Sequence, residues 1–429
     1  MVRLSPSRLH DSLRSPALGS IGFLNEVMTR FPDAVSFAPG APHPGLVADL
    51  DVQRCIDRFL DHLVHEEGHT PKQARLRLYE YGPSRGLING LVGEALRRDL
   101  QIDAPSNALV ITVGAQEGML LALRALFRPS AGDVLAVANP CFVGITGAAG
   151  LLDIPVVGID ETETGIDLDG LTAACHRARA DGRRIRACYV ASDFSNPGGN
   201  RMSLECRRQL LELAEREDLL VLEDNTYGFT TAPGHELPSL KALDKDRRVI
   251  HIGTFAKVCF PGARVGYVVA DQPVDGRGRL LADELAALKT VVTVNTSPLG
   301  QAVIGGMLLE HGGSLAELSR AKSELYQRNL NQLVDALDRT LTGRVPPGVE
   351  WTRPAGGFFV RMRLPVPADV ELLEISAAEH GVLWTPMAQF YLDGTGDCQL
   401  RLSCSYLDPD QIETGVRRLA NFLDKEIGQ

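Results

Sequence analysis

Between about residues 86 and 305 the chain alternates helical patterns with short runs that are apolar throughout. The runs predicted to be strands are Ala108–Val113, Val134–Ala138, Ile154–Ile159, Arg186–Val190, Leu219–Leu222, Val249–Ile252 and Val265–Ala270. Continuously apolar runs are expected where helices cover both faces of a parallel sheet. The pattern therefore predicts an α/β fold with a large, doubly wound and mostly parallel sheet.

The two ends of the chain carry a different pattern. The predicted elements are a short helix through Ile21, Leu24, Val27 and Met28, a Pro-rich loop without regular structure over Phe31–Gly45, an amphipathic helix over 51–67, a long helix from Leu315 to Leu341, strands at Phe358–Leu364 and Gln399–Ser403, and helices near 370–380 and from Asp410 to about Leu423. This order suits a smaller α+β domain. We expect a large domain at 76–310 and a small domain formed by 1–75 and 311–429.

Composition and charge narrow the classes of function. With 429 residues, 44% hydrophobic and 23% charged, the chain is typical of a soluble globular protein. The net charge of −10 argues against nucleic acid or an anionic membrane as a partner. We expect a cytoplasmic protein, because the N-terminus lacks the apolar core of a signal peptide and no run approaches the roughly 18 apolar residues of a membrane span. Eight cysteines without a C-x-x-C pair suggest free thiols.

A lysine follows one of the predicted strands. Lys257 lies just past Val249–Ile252, and Arg264 precedes the next apolar run. In doubly wound sheets ligands bind beyond the carboxyl ends of the strands. A lysine desolvated there has a lowered pKa and can form a Schiff base with an aldehyde. A lone lysine is more commonly a solvated surface residue, so its meaning depends on its neighbours.

Other strand ends also carry polar residues. Asp224 follows Leu219–Leu222 with Tyr227 three positions later, and Asn196 lies in an Asn-Pro-Gly-Gly turn after Arg186–Val190. Taken alone, Asp224 is consistent with a structural ion pair and Asn196 with an ordinary turn. The turn at 114–116 opens a helix, where free N–H groups suit a phosphate, although a plain tight turn has the same pattern.

Together these positions match one kind of ligand, an aldehyde with a ring nitrogen, a ring hydroxyl and a phosphate. Lys257 would supply the amine, and Asp224 the carboxylate for the ring nitrogen. Asn196 and Tyr227 would donate to the ring oxygen. The phosphate site would consist of Arg264 with Gly114, Ala115 and Gln116. Pyridoxal phosphate has these groups and acts as an electron sink. We therefore expect pyridoxal 5'-phosphate as the cofactor, no metal ion, and Lys257 as the catalytic residue.

The order of these motifs is similar to that of a known family. The motifs are Tyr81-Gly82-Pro83-Ser84-Arg85-Gly86, Ile111-Thr112-Val113-Gly114-Ala115-Gln116, Asn139-Pro140-Cys141-Phe142, Asn196-Pro197-Gly198-Gly199, Glu223-Asp224-Asn225-Thr226-Tyr227, the stretch 253–267 and Arg401-Leu402-Ser403. The chain resembles the fold-type I, class I/II aminotransferases. Ser36–Gly40 and Gly356–Phe359 look like the kynurenine and 2-aminoadipate branch. The combination of Phe229, Asn295–Pro298 and the stretch 253–267 is similar to hydroxyphenylglycine transaminases.

The resemblance implies an activity and further site residues. It implies ping-pong transfer of an amino group between an L-amino acid, an aromatic one among the candidates, and a 2-oxo acid, through a Schiff base on Lys257. It implies a homodimer with shared active sites, in which Tyr81 reaches the phosphate in the neighbouring subunit. Phe142 would stack on the pyridine ring. Arg401, with Gly40 and Asn196, would bind the substrate α-carboxylate.

Three residues depart from the family pattern. Ala256 stands where a serine or threonine is common, Phe142 where a tyrosine is common, and Gly198 where a threonine follows Asn-Pro. The change at 256 removes one hydrogen bond to the phosphate, worth about 1 kcal/mol. These departures leave open a lyase or synthase that uses the same cofactor for elimination, replacement or carbon-bond formation.

A different class of enzyme is suggested by one short motif. The segment from His65 to His69 reads His-Glu-Glu-Gly-His, the H-E-x-x-H pattern of zinc proteases. That site requires both histidines on one helix, one turn apart. Gly68 and Pro71 work against a helix here, and the alternative is a solvated helix end.

Overall fold

The computed structural model describes residues 3–14, 26–276, 278–344 and 346–428. Its helices are α1 Val52–His65, α2 Pro71–Tyr79, α3 Asn89–Leu100, α4 Gly114–Leu126, α5 Val143–Leu151, α6 Leu168–Ala180, α7 Leu204–Arg216, α8 Leu240–Leu243, α9 Leu281–Val292, α10 Pro298–Glu310, α11 Leu315–Leu341, α12 Val370–His380 and α13 Pro409–Phe422. Residues 26–30 are also helical. Val27 and Met28 of the predicted N-terminal helix lie in this segment, and Ile21 and Leu24 lie outside the described residues.

The strands are β1 Val35–Ser36, β2 Leu109–Thr112, β3 Asp133–Asn139, β4 Val156–Thr162, β5 Gly165–Ile166, β6 Arg184–Ala191, β7 Leu220–Asp224, β8 Val249–Thr254, β9 Gly266–Val269, β10 Pro273–Val274, β11 Arg279–Leu280, β12 Glu350–Trp351, β13 Phe359–Arg363, β14 Val382–Leu383, β15 Thr385–Pro386 and β16 Gln399–Ser403. Eight of them form one sheet in the order β2-β9-β8-β7-β6-β3-β4-β5. Neighbouring strands from β8 to β4 run parallel, whereas β9 and β5 are antiparallel to their neighbours. The predicted large, mostly parallel sheet is confirmed.

Alternate residues of the central strands face two separate hydrophobic cores. On β3, Leu135 and Val137 join a core that also contains residues of α4, α5 and α9. Val134 and Ala136 join a second core with residues of α6 and α7. Helices therefore cover both faces of the sheet, which explains why these strands read as uninterrupted apolar runs.

The C-terminal part forms a second sheet, β12-β13-β16-β15, with antiparallel pairing. The long helix α11 has the bounds that the sequence predicts. The prediction of no regular structure over Phe31–Gly45 is wrong at two points, because β1 pairs with β14 through Val35 and Val382, and a 3₁₀ helix, Pro44–Leu46, begins in the segment. This short strand lies between Pro32 and Pro39, where the backbone N–H groups are free to pair.

Two further findings concern the chain as a whole. Among the described residues, no helix has both the length and the apolar composition required to cross a membrane. All eight cysteines are free thiols, and only Cys398 is not buried. The prediction of free thiols is confirmed.

Candidate active site

The predicted site residues come together at the carboxyl end of the large sheet. A cavity of about 460 Å³ there is lined by Gly40, Ala115, Gln116, Phe142, Asn196, Asp224, Tyr227, Lys257, Arg264 and Arg401, together with other residues. Gly114 lies against the guanidinium group of Arg264. Tyr81 does not line this cavity and is 87% exposed in the single chain.

Lys257 projects into the cavity from the loop after β8. Its Nζ donates a hydrogen bond to the carbonyl oxygen of Gly40. Burial, together with the nearby charges of Arg401 and Arg264, lowers the pKa of the Lys257 amine to about 8. A neutral amine is therefore accessible near neutral pH, as a lysine nucleophile requires.

This pKa predicts how an aldehyde such as pyridoxal phosphate reacts with the free protein. Only the neutral amine attacks an aldehyde, so the rate of attachment to Lys257 should rise with pH and level off above about 8. Absorbance changes after mixing cofactor-free protein with the aldehyde at a series of pH values measure this rate. A rate that keeps rising toward the ordinary lysine pKa of 10.5 would contradict the assigned environment.

Asp224 is the last residue of β7. Its buried carboxylate accepts hydrogen bonds from two hydroxyl groups. Tyr189 donates to Oδ2 at 2.6 Å, while the Thr226 hydroxyl donates to Oδ1 at 2.6 Å. Burial raises the pKa of Asp224, and these hydrogen bonds act in the opposite direction. Because the carboxylate forms no ion pair with a described residue and faces the cavity, a cationic ring nitrogen would complete its surroundings.

The turn before α4 leaves room for a phosphate. Val113, the N-cap residue, makes no side-chain hydrogen bond to the first turn of the helix. Gly114 has φ +73°, and a Cβ there would lie 2.6 Å from Arg264 Nη2. The helix N-terminus and the guanidinium group thus meet where only glycine fits, and both favour an anion. The amine, the carboxylate and this anion site together fit pyridoxal phosphate.

Replacing Gly114 with alanine should weaken cofactor binding. The new Cβ would displace the Arg264 guanidinium group, and alanine disfavours a positive φ. We expect the dissociation constant of pyridoxal phosphate to rise on the order of tenfold. Fluorescence or absorbance titration measures it, and Gly147→Ala serves as the control because its Cβ would meet open space. Equal affinities in the two variants would contradict the assigned phosphate site.

Arg401 projects from β16 toward the opposite wall of the cavity. Its Nη1 donates to Asn196 Oδ1 at 2.5 Å, and its Nη2 donates to the Ala38 carbonyl oxygen at 2.8 Å. The Cζ atom lies 4.4 Å from the centre of the Phe359 ring. The Nε atom is buried and has no partner among the described residues. Burial lowers the pKa of Arg401 to about 10, and the guanidinium group forms no ion pair with a described residue.

Comparisons with known proteins agree with this geometry. A family model described as "Aminotransferase class I and II" matches residues 84–419. The (S)-3,5-dihydroxyphenylglycine transaminase of Amycolatopsis orientalis is 46% identical over 422 residues, covering 98% of this chain and 95% of that protein. The chain belongs to the class I and II aminotransferases.

Solved structures of aminotransferases are also similar to this chain. A Pyrococcus horikoshii kynurenine aminotransferase in complex with PMP superposes with a TM-score of 0.82 at 26% identity, covering 99% of this chain and 97% of the other. The α-aminoadipate aminotransferase LysN from Thermus thermophilus, complexed with N-(5'-phosphopyridoxyl)-L-leucine, has a TM-score of 0.80 at 28% identity and 98% coverage of both chains. The protein is thus a fold-type I aminotransferase with pyridoxal phosphate as its cofactor, and no finding favours a lyase or synthase.

The structure accounts for two of the departures from the family pattern. Beside Ala256, the hydroxyl of Thr254 lines the cavity and accepts a hydrogen bond from the Ala256 N–H at 3.2 Å. The aminotransferase therefore has a hydroxyl in the cavity two residues before Ala256. At Gly198, the carboxylate of Glu161 occupies the space that a side chain would take.

The zinc-protease alternative is wrong. Helix α1 ends at His65, so His65 and His69 do not lie one turn apart on a helix. Within the described part of the chain, the group of side chains close enough to hold a metal ion is Glu379, His380 and Glu426, and it contains neither histidine. The capping Thr70 and Pro71 begin a new helix and prevent α1 from continuing.

Sequence reasoning missed several residues around the aminotransferase site. Tyr189 and Thr226, which donate to Asp224, and Thr254, which lines the cavity, are among them. A polar residue inside an apolar strand is the signal that could have identified Tyr189, since buried polar groups need partners. Thr226 lies inside the Glu223–Tyr227 motif, but its role depends on the direction of its side chain, which the motif does not determine.

Proposed function

We propose that this aminotransferase acts on arylglycines such as (S)-3,5-dihydroxyphenylglycine and on the corresponding 2-oxo acids. The relative named for that amino acid covers almost the whole chain at 46% identity. The cavity also has an apolar wall of Phe142, Val143 and Phe390, which pack in one cluster with Met387. An aromatic ring next to the α-carbon fits such a wall better than a charged side chain does.

A polar group borders the same wall. Gln389 lines the cavity, and its Nε2 donates to the Pro386 carbonyl oxygen at 3.1 Å. This bond orients the side chain and leaves the Oε1 atom available as an acceptor. We propose that Oε1 accepts from a ring hydroxyl of the substrate, which would favour hydroxylated rings over unsubstituted ones.

We assign the substrate α-carboxylate to Arg401. Its cationic head forms no ion pair with a described residue and donates to Asn196 and to the Ala38 backbone, and Gly40 lines the same cavity. An arginine binds a carboxylate through two parallel hydrogen bonds, which sets the orientation of the amino acid as well as its affinity. The α-carbon would then face Lys257.

Pyridoxal phosphate, when bound, supplies the electron sink for the charge left as the α-proton departs. In our assignment Lys257 Nζ takes that proton and later returns it. Asp224 holds the proton on the ring nitrogen, and Asn196 with Tyr227 holds the ring oxygen. Phe142 covers the ring face, and Gly114, Ala115 and Gln116 with Arg264 hold the phosphate. Burial raises the pKa of Tyr227, which keeps its hydroxyl protonated as a donor.

We also propose a homodimer in which Tyr81 contributes to the partner's site. Tyr79, Tyr81 and Val291 are 74%, 87% and 88% exposed in the single chain. A hydrogen bond of 3.0 Å between Ser84 and Thr290 brings their segments together. Large exposed apolar side chains grouped in this way suggest a covered surface.

The proposed division into a large domain at 76–310 and a small domain from 1–75 and 311–429 is supported by the pairing of β1 with β14. Helix α1, in the N-terminal segment, also packs closely on α10 of the large domain, because a Cβ at Gly306 would meet the Cys55 backbone. The segment therefore contacts both domains. A cytoplasmic location stays a prediction.

A comparison of amino donors tests the proposed substrate. With 2-oxoglutarate as acceptor, we expect kcat/KM for (S)-3,5-dihydroxyphenylglycine to exceed that for 2-aminoadipate by about two orders of magnitude, because a second carboxylate would be desolvated against the apolar wall. Coupled detection of glutamate measures both rates. A preference for 2-aminoadipate would overturn the proposal and leave the aminotransferase assignment intact.

A further inference from the structure

A half-buried carboxylate outside the cavity is not used by the chemistry described above. Glu161, near the end of β4, accepts hydrogen bonds from Ser195 Oγ at 2.7 Å and from Asn200 Nδ2 at 2.8 Å. Burial raises the pKa of Glu161 to about 7, while the Ser195 hydrogen bond and the charge of Arg361 act in the opposite direction. Neither donor carries a charge, so the carboxylate is held by the turn rather than by an ion pair.

The turn from Ser195 to Asn200 contains Asn196. The Ser195 N–H donates to the Asn200 carbonyl oxygen at 2.9 Å, and the Gly199 N–H donates to the Ser195 carbonyl oxygen at 2.7 Å. Glu161 therefore joins the two ends of this turn, with one carboxylate oxygen on Ser195 and the other on Asn200. Asn196 lies between these ends.

The Glu161 carboxylate lies in the space that a side chain at Gly198 would fill. A Cβ at this position would lie 2.4 Å from Glu161 Oε2 and 2.9 Å from Ser195 Oγ. Contacts this short are excluded by van der Waals repulsion, so any larger residue would push the carboxylate away. The glycine after Asn-Pro, unusual for the family pattern, and the acid at 161 therefore act as a pair.

The turn connects to the carboxylate site through one hydrogen bond. Asn196 Oδ1 accepts from Arg401 Nη1 at 2.5 Å. A shift of the turn would move Oδ1 and change the direction of the guanidinium group. Since a bidentate arginine contact depends on planar alignment, a small rotation there lowers affinity for a carboxylate.

A second link between Glu161 and the neighbourhood of Arg401 runs through Arg361. Arg361 lies directly opposite Arg401 in the pairing of β13 with β16, so their side chains leave the same face of that sheet. The Glu161 carboxylate is close enough to feel the charge of Arg361. Tyr391 also faces this group, through contacts with Arg361 and Gln399.

We propose that Glu161 is a positioning residue for the substrate carboxylate site, acting through the Ser195–Asn200 turn on Asn196 and Arg401. The proposal rests on the assignment of Arg401 to the substrate carboxylate. Glu161 does not touch the substrate. Its part is to hold the turn in the one arrangement in which Asn196 aligns the guanidinium group.

Substitutions at 161 give the first test. Glu161→Ala removes both hydrogen bonds and should raise the KM of any accepted amino acid about tenfold while kcat changes less than about twofold. Glu161→Gln should restore KM to within about twofold, because the amide can accept from Asn200 and donate to the Ser195 hydroxyl. Glu163→Gln is the control, since Glu163 is an exposed acid two residues along the chain.

A readout without turnover separates this proposal from the proposed substrate. Isothermal calorimetry with phenylacetate, a carboxylate without an amino group, should give a dissociation constant raised about tenfold in Glu161→Ala and unchanged in Glu163→Gln. If the enzyme rejects arylglycines and this pattern holds, the donor assignment fails and the positioning role stands. An unchanged constant in Glu161→Ala would overturn the positioning role.

The pair with Gly198 gives a second, independent test. Gly198→Ala should raise KM and the phenylacetate dissociation constant as Glu161→Ala does, because its Cβ displaces the carboxylate. Adding Gly198→Ala to Glu161→Ala should then have little further effect, since the carboxylate is gone and the Ser195 hydroxyl, no longer bonded to it, can rotate away from the new Cβ. Additive effects of the two changes would contradict the proposal. Gly198→Ala alone tests it if Glu161→Ala does not fold.

Discussion

Replacing Lys257 with alanine should reduce turnover roughly ten-thousand-fold while the cofactor and the amino acid still bind. Among the described residues that line the cavity, Lys257 supplies the only amine. Its lowered pKa, about 8, makes it able to take and return a proton near neutral pH. Steady-state rates with any accepted donor measure the loss, and absorbance titration measures retained cofactor.

Two further variants distinguish loss of the Lys257 amine from loss of the folded structure. Lys257→Arg keeps a cation of similar length but cannot become neutral, so we expect the same loss of rate. Lys72→Ala removes an exposed lysine far along the chain and should leave turnover unchanged. Turnover by Lys257→Ala at a rate close to that of the natural protein would remove Lys257 from the chemistry.

Replacing Arg401 with alanine should raise KM for amino acids and 2-oxo acids on the order of a hundredfold, with a smaller effect on kcat. The buried guanidinium group lacks a counter-anion, and its Nε has no partner among the described residues. Removing it leaves the substrate carboxylate facing Phe359 and Phe390, whose rings now flank the cation. The separate fits of kcat and KM provide the measurement.

The matched control is Arg363→Ala, which removes an exposed arginine from the neighbouring strand β13. We expect its KM values to stay within about twofold of those of the unsubstituted enzyme, because surface substitutions have small effects. If both variants raised KM equally, general loss of positive charge would explain the result and the specific carboxylate contact would be wrong.

Sequence patterns predicted the elements best where local chemistry defines them. Helix α11 has its predicted bounds because Ser314 caps its start through the Glu317 N–H, and Gly343 with Pro346 and Pro347 prevents continuation. Lys257, Asp224 and Asn196 could be grouped because each follows a buried parallel strand, and the carboxyl ends of such strands share an edge.

Features that depend on distant partners could not be read in this way. Strand β1 exists because Val35 pairs with Val382, a residue almost the length of the chain away. Strand β8 extends to Thr254 because Thr254 pairs with Gly266 on β9. Glu161 has no local motif at all, and only the folded chain places its carboxylate in the space beside Gly198.

The same limit explains the false motif. The five residues from His65 to His69 match a zinc-protease pattern letter by letter, yet α1 ends at the first of them. A motif predicts chemistry only when its secondary structure is also present. The aminotransferase motifs differ because seven of them occur in order, and six of the seven contribute residues to the cavity.

The most direct test of the account follows the nitrogen atom. The purified enzyme is incubated with pyridoxal phosphate, 2-oxoglutarate and (S)-3,5-dihydroxyphenylglycine whose amino group carries heavy nitrogen, and the products are separated by mass spectrometry. Transamination predicts that the label passes to glutamate, and that labelled glutamate and the new 2-oxo acid form in equal amounts. Label released as ammonia, or labelled donor left unconsumed, would contradict it.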